Sequence, residues 1–208
     1  MTEAQIFLFV VTSLIVIITP GQDMVLVMSR SVAQGSKAGV ATAAGVSTGL
    51  LGHTALAGFG LGALLRASEM LFVAVKVIGA VYLFYLGAKL LRTRQEELEL
   101  SGAGSSSLRA LFVQGAISNL ANPKIAIFYL AFLPQFIEAD ALHPTSMLLA
   151  LGVAFAVLTF IVKAPIGYGA GALSSWMRAR PKIQVWLHRI SGGVLIALSM
   201  RLVLERRL

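Results

Sequence analysis

The chain has no cysteine among its 208 residues. Disulfides, thiol redox relays and cysteine-ligated metal sites are therefore excluded, and with them thiol transfer within a membrane. Charge is scarce as well. Asp, Glu, Lys and Arg make up 12% of the residues, about half the roughly 25% of soluble domains. Acids are scarcer than bases, nine against seventeen, for a formal net charge of +8. The basic residues sit in short loops between long apolar runs, as membrane orientation demands. No basic helix or aromatic–basic surface stands outside those runs, so nucleic-acid binding is set aside. His53 has no second histidine nearby and no acid at helical spacing, so it reads as a hydrogen-bonded packing residue, and neither a metal nor another cofactor is expected.

What the chain has instead is apolar length. Hydrophobic residues make up 57%, and the mean hydropathy is +0.84. Six apolar runs cover about 4–28, 38–65, 70–91, 111–137, 146–171 and 183–204. This predicts an all-α membrane protein, a single integral membrane domain over 1–208 with about six transmembrane helices of roughly 20 residues each. The start, Met1-Thr2-Glu3, lacks the basic region and small-x-small site of a signal peptide, so the first run reads as an uncleaved span.

The stretch 92–110 is charged and then rich in Gly and Ser, and it separates a first repeat (1–91) from a second (111–208). Lys and Arg collect in the first, third and fifth loops, as in Arg30, Lys37, Lys89, Arg92, Arg178 and Lys182, while the fourth loop has none. That places the 92–110 linker in the cytoplasm and both termini outside, although Arg201, Arg206 and Arg207 weigh the other way. Pro20 and Pro123 break the first span of each half, and Gly49 and Gly152 recur at the same offset. Lys76-Val-Ile-Gly79-Ala80 lines up with Arg189-Ile-Ser-Gly192-Gly193. Two three-helix halves with paired broken helices read as inverted repeats, with a site near the midplane.

Two segments carry the chemistry. One is Thr19-Pro20-Gly21-Gln22-Asp23; the other is Ser118-Asn119-Leu120-Ala121-Asn122-Pro123-Lys124, continuing to Phe132-Leu-Pro-Gln135-Phe136. Free backbone groups at membrane depth must be buried in protein or line a wet cavity. A lysine at mid-span costs about 2.5–3.5 kcal/mol on insertion scales, so a chain that keeps one usually draws function from it. Asp23, just past the Pro20-Gly21 break, could bind a substrate ammonium, carry a proton or cap the following half-helix. Lys124 offers a cation to a substrate carboxylate or to Asp23, and both are expected to face one midplane cavity. Asn119 and Asn122, about one turn apart, serve either the broken backbone or the substrate. Lys76 is divided between a site and a topological role. Lys163, beside Pro165, reads as snorkelling to the cytoplasmic interface.

Two motifs are decoys. Gly45-Val-Ser47-Thr-Gly49 matches a hydrolase elbow but lies inside a long apolar helix, not on a strand-turn-helix. Gly58-Phe-Gly60-Leu-Gly62 lacks the strand of a dinucleotide fold. Both read as helix-packing glycines, as do Gly167 and Gly171.

Thr19-Pro-Gly-Gln-Asp23, the Lys76–Gly87 stretch, Gly115-Ala-Ile-Ser-Asn-Leu-Ala-Asn-Pro-Lys124 and Phe132-Leu-Pro-Gln-Phe136 together resemble the lysine exporter / homoserine-threonine resistance family. The resemblance covers nearly the whole chain. It implies a bacterial inner-membrane exporter of a small amino acid or derivative, coupled to protons as an antiporter, with no enzymatic activity. It marks Gln135 and the Asn-Pro-Lys block as site candidates. Gln22 stands where the family commonly has a second proline, and Lys163 is no family hallmark. The expected partners are an amino acid, protons and the bilayer; self-association is left open. An ion-conducting channel using the same buried charges is the alternative, and an intramembrane hydrolase with Ser47 as nucleophile is a third.

Overall fold

A computed structural model describes residues 1–67, 69–92, 106–137, 142–170, 172–173 and 180–204. Every regular element among them is helical. The order is α1 (Glu3–Ile18), α2 (Gln22–Gln34), α3 (Ser36–Ala67), α4 (Glu69–Arg92), α5 (Leu108–Leu120), α6 (Pro123–Phe132) with a 3-10 turn (Leu133–Phe136), α7 (Pro144–Tyr168) and α8 (Pro181–Leu204). α7 and the Val185–Leu204 part of α8 are each long and apolar enough to cross a bilayer. The pairs α1–α2 and α5–α6 qualify when each is taken as one bent span, the bends being 54° and 59°. α3, at 32 residues, measures about 48 Å by helical rise.

The apolar runs thus became helices, and the two runs holding Pro20 and Pro123 became bent pairs. One boundary moved. α5 begins at Leu108, inside the expected linker, because Ser107 caps it by accepting a hydrogen bond from the Ala110 amide (3.2 Å). The centre of the linker lies outside the described residues.

Inside and outside differ in shape more than in polarity. The largest core group is aromatic: Phe9 of α1, Phe128, Tyr129 and Phe132 of α6, Phe136 of the 3-10 turn and Phe155 of α7. Phe128 stacks on Phe132 at 4.6 Å, and Phe136 meets Phe132 edge-on at 4.9 Å. Meanwhile Phe7, Val81 and Val203 are 71%, 64% and 66% exposed. Such a surface is untenable in water and ordinary against lipid.

Small residues bring the helices close. α3 packs on α7, α5 and α2, and α4 packs on α8. A Cβ at Gly87 would stand 2.7 Å from the Gly192 carbonyl oxygen, and one at Gly192 would stand 2.7 Å from that of Gly87. The two backbones touch, as glycine-mediated membrane packing allows. Both decoys lie in α3. Gly49 there faces the Ala116 carbonyl of α5 and Gly58 faces Leu149 of α7. Gly60, expected to pack, faces open space instead. Gly167 packs on Gly39, while Gly171 is outside the described residues.

Candidate functional site

The first break is open. α1 ends at Ile18, Thr19 turns the chain (φ −59°, ψ 123°), and Gly21 is fully extended before α2 begins. Proline supplies no amide hydrogen, so the helix cannot be continued across it. Asp23 falls in the first turn of α2, where the positive end of the helix dipole favours a carboxylate. It is not the cap. That position belongs to Gly21, and no side chain caps the helix.

The Asp23 carboxylate instead turns sideways into the bundle, where it is buried. Its Oδ2 accepts a hydrogen bond from Asn119 Nδ2 of α5 at 2.9 Å. Lys163 Nζ of α7 reaches the same oxygen at 3.5 Å. Oδ1 has no partner among the described residues. Three helices, α2, α5 and α7, therefore meet at one carboxylate oxygen. The Lys163 and Asp23 side chains are only 8% and 9% exposed, so the pair is held out of solvent, and breaking such a pair by removing one member costs about 3–5 kcal/mol.

Lys163 is thus a correction to the sequence reading. It does not snorkel; Asp23 draws it inward, because a buried carboxylate needs a cation more than the lysine needs the interface. His53 is the hydrogen-bonded packing residue the sequence suggests. It is buried, and its Nε2 bonds the Asn119 carbonyl oxygen at 3.0 Å while its ring lies 5.8 Å from that of Tyr129. Asn119, fully buried, therefore touches Asp23 through its side chain and His53 through its backbone.

The remaining expected residues spread out. Asn122 is buried, and its carbonyl accepts hydrogen bonds from the Ile125 and Ala126 amides at 3.1 and 3.2 Å, which starts α6. Pro123 is the first residue of α6, where a missing amide hydrogen is harmless. Gln135 Nε2 bonds the Ala131 carbonyl at 3.0 Å, and Arg201 Nη2 of α8 donates to the Gln135 carbonyl at 3.2 Å. The Pro20 carbonyl faces His188 Nε2 of α8 at 3.4 Å. The side chains of Lys76 and Lys124 lie outside what the structure describes, so the expected meeting of Lys124 with Asp23 is not seen either way.

Next to Asp23, Gln22 Nε2 reaches Ser118 Oγ at 3.4 Å. Ser118 ends a groove of about 650 Å³ along α5 that also takes in Arg109, Val113 and Gln114. A mainly apolar groove thus approaches within one residue of Asn119.

Apolar helices with an ion pair buried at a broken span are the construction of a membrane transporter. The chain belongs to the LysE type translocator family, whose model matches residues 14–206. That is a family of transporters, not of enzymes. The chain is 29% identical over 196 residues to the uncharacterized membrane protein YrhP of Bacillus subtilis (strain 168), covering 89% of this chain and 91% of that one. It is 30% identical over 196 residues to an uncharacterized membrane protein of Vibrio cholerae, covering 93% and 94%. A third relative, an uncharacterized membrane protein of Pseudomonas aeruginosa, is 27% identical over 199 residues. No solved structure matches the chain.

Proposed function

We propose that this transporter exports a small amino acid or close derivative across the bacterial inner membrane in exchange for protons. The observation that carries the reading is the ion pair of Asp23 and Lys163 buried beside the first break. An amino acid is a zwitterion. Inserted into the pair, its ammonium meets Asp23 and its carboxylate meets Lys163, so no net charge is left buried. A lone cation or anion would strand one partner, and that is expensive in a low-dielectric interior. Asp23 is also the proton carrier of the exchange: with the substrate gone, it takes a proton or returns to Lys163. Asn119 holds the carboxylate in place, and Lys124 stands as a further cation of the same site.

The two halves act as inverted repeats, with the 92–110 linker in the cytoplasm and both termini outside. A reporter active only in the cytoplasm should work when fused after Arg94 and fail after Asp140; the reverse result inverts the orientation. For substrate, cells overproducing the protein are challenged with each amino acid and with toxic analogues. Resistance to one chemical class, with that compound accumulating outside, is expected. Export should saturate with substrate and stop when an uncoupler collapses the proton gradient. Flux indifferent to both would favour the channel reading instead.

A further inference from the structure

The first break leaves backbone carbonyls without helical donors at membrane depth, and these must be met from elsewhere. One of them, the Pro20 carbonyl, is met from the last helix. His188 and Ser191 stand three residues apart on α8, hence on one face, and both are buried. His188 Nε2 faces the Pro20 carbonyl at 3.4 Å. The Ser191 hydroxyl contacts the Thr19 hydroxyl and also reaches the Ile15 carbonyl at 3.4 Å. Within the break's own helix, Thr19 adds an amide and a hydroxyl contact to that same Ile15 oxygen. No local bond among the described residues holds the Pro20 carbonyl.

His188 Nδ1 has no partner among the described residues, although it too is buried. An unmatched buried nitrogen calls for an explanation. A histidine kept only for packing gains nothing from it, whereas a side chain that engages the break in one arrangement and releases it in another has a use for a loosely matched ring.

We infer that His188 and Ser191 form a latch on the Thr19–Gly21 hinge, and that the latch sets the angle between α1 and α2 and hence the position of Asp23. They are positioning residues: Asp23 sits three residues beyond Pro20 on the far arm of the hinge, so rotation there carries its carboxylate relative to Lys163 and Asn119. This rests on the transport reading for its purpose but not for its test.

The absence of cysteine supplies the means. Phe7 of α1 and Val32 of α2 are both exposed and stand on opposite arms of the bend. In Phe7→Cys/Val32→Cys the two introduced thiols are the only ones, and spin labels on them report the bend in lipid. One straight helix would separate these positions by about 37 Å, and a bend of this size reduces that to about 33 Å. In this background, His188→Leu and Ser191→Ala should each broaden the distance distribution by half or more and displace its mean by about 3 Å, within the range set by the helical rise. His188→Gln keeps an N–H donor and should restore the parent distribution. Parent-like distributions in both disruptive variants overturn the latch, as does a Gln variant as broad as Leu. If His188→Leu fails to accumulate, Ser191→Ala decides alone, since it removes one hydroxyl. The measurement needs no substrate. A protein that transports nothing can still show the latch, and a protein that exports without it leaves the proposed function standing.

Discussion

The two breaks, at Pro20 and at Pro123, are built in different ways. At the second, the amides next to the break bond locally, and His53 of α3 adds one contact from a distant helix, to the Asn119 carbonyl at 3.0 Å. The Ala121 amide bonds the Ile117 carbonyl at 2.8 Å, the Asn122 amide bonds Asn119 at 3.0 Å, and Asn122 starts α6 through its own carbonyl. Ala121 stays near helical dihedrals (φ −77°, ψ −2°). At the first, Gly21 is extended and the Pro20 carbonyl looks to a helix more than 160 residues away in sequence. A break whose amides bond locally is held mainly by its own chain; one whose carbonyl has no local bond moves when the distant helix's contacts change. The second is therefore a fixed kink and the first a hinge, and Asp23 lies on the hinge while Asn119 lies on the kink.

The strongest way to break this contrast is at the charges. Asp23→Asn and Lys163→Met should each lower export by about 100-fold or more, since removing one member of a buried pair costs about 3–5 kcal/mol and each 1.4 kcal/mol is tenfold. Membrane abundance should fall as well. In the double variant it should recover, because two uncharged side chains replace the pair, while export stays lost. Abundance losses that simply add would mean the two residues do not depend on each other.

A milder test separates the breaks. Pro20→Ala returns an amide hydrogen to a helix that lacks it, and it should stiffen the hinge and cut export about tenfold. Pro123→Ala sits at a first helical position where that hydrogen has no role, so export should stay within about threefold of normal. Equal losses would show that the two breaks are mechanically alike. The smallest effect is expected at Ser47. Its hydroxyl is buried without a partner among the described residues, so Ser47→Ala should leave export within about twofold of normal and abundance unchanged or higher. Complete loss there would revive the hydrolase reading.

The helices and both breaks were legible because hydrophobic run length, proline and mid-span amides act locally. Asp23 and Asn119 were found for the same reason: a polar group in an apolar run declares its cost wherever it ends up. Lys163 declared the same cost. Its place beside Pro165 reads as snorkelling, and what overrides that reading is a carboxylate 140 positions away. Equal treatment of every mid-span charge would have flagged it. His188 and Ser191 could not be found that way. Each is unremarkable on α8, and their meaning depends on which carbonyl lies opposite, 168 and 176 positions away. That is fixed by how helices cross, and no local pattern encodes it.

The contact between Gly87 and Gly192 carries a mechanical consequence. Gly192 lies one turn from His188, so the part of α8 that grips the hinge is also the part lying flush against α4. Small residues leave no side chains there to deform, and two such backbones can slide or separate but cannot cushion one another. On the hinge proposed above, α4 and α8 form the frame against which the first bent span turns. The rigidity of that frame is set where its side chains are smallest.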